Sequence, residues 1–323
     1  MRARRFAISL LLLCLWSARP ANAAEDGPFP QKPIKLVIPD APGNVTDLLG
    51  RLVAQRLSLS LGQPVAVEHV PGAGAMLGID AVSRAPADGY TILLTTSSLV
   101  IQPLLHKQFR IELPRNLAPL SLAGRGAYVI AASSDLLLPN LGEMVTFSKL
   151  NPDRLKYGAT DQPTRLAFEL LKSMTGASIR HVPFASGQSA FAALLRGEVP
   201  IVVDTAVAMK PYIDRGLLQP LAVTGKYRSD QLPQVPTAAE SGVIDYKVDY
   251  WIGFFAPGAT PAHVIRKLSE NIVLIVRDPE LKAEFMAMGL EPAGTTPDEF
   301  MRVISSERTL WSKVIRDARI GTD

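Results

Sequence analysis

Four histidines, His69, His106, His181 and His263, are scattered along the 323 residues with separations that match no metal-ligand or acid–base pattern. Taken singly, each suits a structural or solvated role better than that of a ligand or general base. The chain has no G-x-S-x-G elbow, no H-E-x-x-H helix and no P-loop. Gly72, Gly74 and Gly78 loosely imitate a dinucleotide fingerprint, but their spacing fits a tight strand-to-helix turn better. The one cysteine, Cys14, falls in an N-terminal apolar stretch, so the rest of the chain offers no thiolate nucleophile, disulfide or thiolate metal site. No catalytic residue, metal or cofactor is expected.

What remains is a concentration of small and polar residues where apolar strands give way to helices. The first such turn runs from Pro39 and Asp40 through Gly43, Asn44, Val45, Thr46 and Asp47, and another is Thr95-Thr96-Ser97-Ser98. Later turns are Thr160-Asp161-Gln162-Pro163, Phe184-Ala185-Ser186-Gly187 and Asp204-Thr205. In a parallel α/β sheet, ligands lie beyond the carboxyl ends of the strands. Helix N-termini there offer unpaired N–H groups and a positive dipole end, which suit a carboxylate. Such loops can bind an acid without any nucleophile; capping helices is the other use these residues could serve at any one loop.

The elements that must position them can be read from the apolar pattern. Strands are predicted over 33–38, 65–70 and 90–94, with a helix to Leu61 capped by Thr46 or Asp47 and stopped by Gly62. A Gly-rich turn over 71–78 and a short helix to Ala85 fill the second crossover. A second series follows Asn140: strands over 155–159, 179–182, 201–203 and 218–223, and helices over 164–175, 188–196 and 207–215. The alternation argues for two parallel sheets flanked by helices, one per lobe. Three C-terminal helices, over 261–276, 279–288 and 297–315, each open with proline and have Thr260, Asp278 and Thr296 as candidate caps.

Composition is that of an ordinary globular chain, 47% apolar and 20% charged, which excludes disorder and coiled coil. The net charge of +4 resides in residues 1–23, which hold four arginines and no acid; beyond them thirty basic residues balance thirty acidic ones. A nucleic-acid surface is therefore not expected. Those 23 residues read as a secretory signal, with Arg2, Arg4 and Arg5, an apolar stretch from Phe6 to Trp16, and Ala21-Asn22-Ala23 as the cleavage site. The apolar stretch is shorter than the ~20 residues that span a bilayer.

Several stretches resemble the Bug (TctC) family, the periplasmic solute-binding proteins of tripartite tricarboxylate transporters. They include PIKLVIPDAPGNVTDLLGRLVAQRLSLSLGQPVAVEHVPGAGAMLG, APADGYTILLTTSS, LKYGAT, HVPFASGQSAFAALLRGEV, LAVTGKYRSDQLPQVPTAAESG and WIGFFAPGATP. The resemblance implies a two-lobe clamp of the periplasmic-binding-protein kind (type II-like), each lobe a mostly parallel sheet flanked by helices. It implies a discontinuous first lobe, 25–124 with 251–323, and a second lobe over 125–250. It also implies capture of a small organic acid in the periplasm, by a chain expected to be monomeric, for a two-component membrane permease; another reading keeps the clamp but sends its closed form to a sensor protein. By position, the ligand-binding residues it implies are Gly43, Asn44, Val45, Thr46 and Asp47 of the first loop. Ala73, Gly74, Ala75 and Met76 follow in the next turn, then Ser97 and Ser98. From the other lobe come Thr160, Asp161, Phe184, Ala185, Ser186, Gly187, Asp204 and Thr205.

Two departures from the family pattern concern charge. Asp40 stands where relatives commonly place an aromatic, and Asp161 begins a stretch where they offer a Gly-Ser-rich run. Turned into the cleft and ionised, either would repel a carboxylate and favour a ligand with an amine, amide or neutral polar end. Turned to solvent, both would be loop or cap residues. A rival reading, an exported hydrolase, would assign acid–base work to Asp47 and Asp204.

Overall fold

The computed structural model of the protein describes residues 28–159, 161–184 and 187–321. The expected leader, Thr160, Ala185 and Ser186 lie outside the described residues. Strand β1 (Ile34–Ile38) is a nearly unbroken apolar run, α1 (Val45–Leu61) follows it, and β2 (Val65–His69) lies parallel beside it. Helix α2 (Met76–Ser83) leads to β3 (Thr91–Thr96), parallel to β1 on its other edge. Burial on both faces is what such a central parallel strand requires. The cap of α1 is Asn44, whose side chain accepts the Asp47 N–H, rather than Thr46 or Asp47. Asp47 is unavailable as a cap because its carboxylate turns back to the Gly43 N–H and sideways to His69.

The polar turn after β3 opens directly into α3 (Ser98–Leu105), a helix that the sequence pattern did not separate from the turn. Next comes β4 (Leu117–Ser133), 17 residues long. The second series then gives α4 (Leu141–Leu150), β5 (Leu155–Ala159), α5 (Gln162–Thr175), β6 (Ile179–Pro183), α6 (Gly187–Leu195), β7 (Ile201–Thr205), α7 (Ala206–Ile213) and β8 (Leu218–Val223). Strand β5 pairs parallel with β6 and β7. Each series thus builds a mostly parallel sheet flanked by helices.

The two sheets are joined by β4 and β9 (Asp249–Pro257), strands that the sequence analysis did not identify. They pair antiparallel from Leu117 to Ala127, after which β4 passes to β7 and β8. Register shifts along β4 let one strand follow both sheets, since bulges bend and twist a strand. The ladder runs β2-β1-β3-β9-β4-β7-β5-β6. The larger apolar core reaches from Leu36, Val53 and Leu94 through Trp251 and Phe255 to Tyr157 and Phe168 of the second sheet. Helix α5 packs on α3, which carries that core across from one sheet to the other. A smaller cluster with Phe191, Val202, Met209 and Val223 covers the opposite face of the second sheet.

The C-terminal segment returns to the first sheet as α8 (Ala262–Val276), α9 (Lys282–Ala287), β10 (Glu291–Pro292) and α10 (Pro297–Asp317). Thr296 caps α10 in a capping box with Glu299, and Asp278 caps a short 3-10 turn. Thr260 does not cap α8: Pro261 holds that position, and the Thr260 hydroxyl is buried without a partner.

Helix α10 sets the Phe300 ring edge-on to Trp251 at 5.1 Å and packs against both β4 and α5. On the same helix, burial pushes the Glu307 carboxyl up to about 7, with the indoles of Trp251 and Trp311 pulling the other way. The folded chain therefore holds this proton to higher pH than the unfolded chain does, and stability falls as pH rises toward 7. Relative to wild type, Glu307→Gln should gain about 2 to 3 kcal/mol between pH 5 and pH 8 in urea unfolding. Parallel stability curves for the two proteins would contradict this.

Candidate solute-binding cavity

A cavity of about 740 Å³ lies where the carboxyl ends of both sets of parallel strands meet. Its floor is Tyr128 of β4 with Tyr250 and Ile252 of β9, the paired strands that join the sheets. The first wall comes from the loops after β1, β2 and β3, and the second from those after β5, β6 and β7. Helices α1, α2, α3, α5 and α7 all begin at this rim, so their first-turn N–H groups gather around one space.

The loop before α1 is held by Asp47, which is almost fully buried. Its carboxylate accepts the Gly43 N–H at 2.8 Å and contacts His69 Nε2 and Arg51 Nε, each at 2.9 Å. Burial alone would raise this carboxyl, but those three partners outweigh it and hold it below the usual carboxylate range. Asp47 is thus a fastener behind the loop and does not line the cavity.

The second turn is held by backbone strain and one side chain. From Gly72 to Ala75 every residue has positive φ, including Ala73 at 49° and Ala75 at 79°. Non-glycine residues there carry strain that surrounding contacts must offset. Gln102 of α3 supplies one such contact, its Nε2 donating to the Gly74 carbonyl at 2.8 Å. A Cβ at Gly74 would overlap that amide. The donation fixes which end of the amide is nitrogen, and the Gln102 Oε1 is left buried with no partner.

Charge in the cavity is predominantly acidic. Among the described residues, Asp40, Asp161 and Asp204 line it, against one guanidinium, Arg165. Asp161 caps α5 and accepts the Thr164 N–H at 2.8 Å. Solvent reaches Asp161, but the protein packed around it raises its carboxyl, with Thr164 pulling the other way. Burial also raises Asp40, reinforced by the facing charge of Asp161 and opposed by Asn44, Thr46 and His69. Both departures from the family pattern therefore face the cavity, Asp161 while also serving as a cap. His106 and His181 enter from opposite walls. Burial, with Arg165 nearby, lowers His181 to about 4, leaving it neutral near pH 7.

Of the residues singled out in the sequence, Gly43, Asn44, Val45, Thr46, Ala73, Gly74, Ala75, Met76, Ser98, Asp161, Phe184, Asp204 and Thr205 line the cavity. Asp47 and Ser97 are buried behind it, and Gly187 begins α6. Thr160, Ala185 and Ser186 fall outside the described residues. The sequence reading missed the floor and the side chains that enter from within helices, above all Gln102 and Arg165. Helical spacing held the available signal for Arg165, which stands one turn after Asp161. Among the described residues no group of three or more His, Cys, Asp or Glu side chains could hold a metal ion, and no helix is long and apolar enough to cross a membrane. Of the two carboxylates of the hydrolase reading, Asp204 lines the cavity, while Asp47 is fastened behind its wall.

Comparison with known proteins agrees with this architecture. The chain is 32% identical over 293 residues to protein BugT of Bordetella pertussis, covering 90% of each chain. It superposes on a structure described as a periplasmic transporter with a TM-score of 0.81 at 30% identity, covering 91% of this chain and all of that one. An R. palustris protein solved with adipate gives a TM-score of 0.83 at 28% identity, with the same coverage. The family model of the tripartite tricarboxylate transporter family receptor, TctC, matches residues 49–320. The chain belongs to the TctC family of tripartite tricarboxylate transporter receptors.

Proposed function

We propose that this chain captures a small carboxylic acid in the cavity between its sheets and presents it unchanged to a membrane permease. The observation that carries this reading is the convergence of five helix N-termini on one space floored by the β4–β9 pair. A carboxylate there meets oriented N–H donors. The adipate held by the R. palustris relative is of the same chemical kind. Residues 25–124 with 251–323 would move as one lobe and 125–250 as the other, about the crossing strands. Closure would shift an open–closed population toward the bound form. Residues 1–23 would direct export to the periplasm, where the receptor acts as a monomer.

Delivery to a sensor protein instead of a permease would use the same closed form, and pull-down of the ligand-loaded protein separates the two. Against the exported-hydrolase reading, a receptor gains stability from its ligand and returns it intact. With ligand at about 100 times its dissociation constant, mass action stabilises the folded chain by about 2.7 kcal/mol. A screen of aliphatic acids by thermal shift, with mass analysis afterwards, should find a stabilising acid of unaltered mass. A consumed acid would overturn the receptor reading.

The same reading makes Asp47 a positioning residue for the first loop. Asp47→Asn should destabilise the chain by about 1 to 3 kcal/mol at neutral pH, the usual effect of weakening a buried charged hydrogen bond. Because its folded carboxyl is held low, its contribution is complete above the ordinary value of about 3.9 and fades as pH falls through the lower folded value. The gap between wild type and variant should therefore close only in strong acid. A gap that is constant with pH would contradict the role given to Asp47.

A further inference from the structure

Among the described residues that line the cavity, carboxylates outnumber the single guanidinium, a balance that a simple dicarboxylate does not call for. Asp40 lines it from the first wall and Asp161 from the second. Gln102 Oε1 belongs to a side chain only 3% exposed and has no partner, and Gln162 Oε1 is likewise buried without one. Among the described residues, the groups that favour charge on Asp161 are hydrogen bonds from Thr164. Those favouring it on Asp40 are Asn44, Thr46 and the more distant His69, with no lysine or arginine among them. Arg165, at the i+4 position where an ion pair with Asp161 would ordinarily form on a helix, makes none with it. It lies near His181 and Tyr157 instead, and its Nε is buried without a partner. The two carboxylates thus face the cavity without a lysine or arginine partner, while elsewhere Arg165 holds a spare cationic donor.

We propose that Asp40 and Asp161, facing the cavity from opposite walls together with the buried Gln102 carbonyl, select a carboxylic acid that also carries a protonated amine. The inference rests on the receptor reading above and names its solute class. The ammonium group adds N–H donors beside these carboxylates, and its charge offsets their mutual repulsion. Tyr128 and Tyr250 border the same space from the floor. The ligand carboxylate goes to Arg165 and the helix N-termini. A second carboxylate in place of the amine would meet Asp40 and Asp161 as a third like charge.

Calorimetric titration at pH 7 with matched pairs tests this: adipate against 6-aminohexanoate, and glutarate against 5-aminopentanoate and L-glutamate. In at least one pair the aminated acid should bind about tenfold or more tightly than its dicarboxylate, a difference of about 1.4 kcal/mol. Asp40→Asn, and Asp161→Asn, which keeps a capping side chain, should each erase that preference while thermal unfolding confirms a folded protein. Dicarboxylates that bind as tightly or more tightly, with affinities unchanged in Asp40→Asn, would overturn the amine preference and leave the receptor reading standing. Binding of neither series would overturn both.

Discussion

Everything in the cavity depends on the antiparallel pairing of β4 with β9. Near its end, Arg125 pairs with Trp251 and Gly126 with Tyr250, at the place where β4 leaves one sheet for the other. Two glycines make the crossing tight. A Cβ on Gly126 would sit 2.5 Å from the Tyr250 ring, and one on Gly253 would enter the Phe300 ring. The Tyr250 ring can therefore lie against β4 and beside Tyr128, at 5.3 Å between centroids, as the floor of the site. Because the parallel strands of both sheets point their carboxyl ends toward this floor, their loops face each other without a separate docking interface.

The loops are shaped by polar groups that do not themselves face the solute. Asp47 ties the first loop from behind, Gln102 ties the strained Gly72–Ala75 turn from α3, and the Asp161–Thr164 box fixes the start of α5. Each uses an internal hydrogen bond to set a backbone that would otherwise sample many conformations, at an entropic cost of ~1–2 kcal/mol per ordered residue. Each wall of the cavity is thus held in shape by bonds within the protein itself. In the proposed reading, Asp40 and Asp161 on the facing walls then decide which acids fit.

Much of this arrangement was legible in the sequence because parallel α/β units advertise themselves. Apolar runs such as 34–38 and 218–223, glycine stops at 62 and 176, and polar turns after each strand located the rim from one chain pass. The crossing strands were not legible. β4 alternates weakly and carries Pro119, Gly124 and Gly126, residues that read as breaks, yet tertiary pairing overrides that local preference. Cap positions shifted where a carboxylate found a better partner, as at Asp47, or where proline took the cap, as at Pro261. Residues that reach the cavity from inside helices, such as Gln102, have no local signature, because only the packing of α3 against the Gly74 turn directs them there.

The most direct measurement is native mass spectrometry of the protein isolated under non-denaturing conditions from the cell that makes it, followed by release of whatever it holds. A receptor of the proposed kind should carry one small acid bearing nitrogen, freed unaltered on unfolding and missing from an Asp40→Asn preparation. A preparation that carries no acid even when saturated with candidate solutes, or that yields a chemically transformed product, would contradict the capture of an amino-bearing acid between the two sheets.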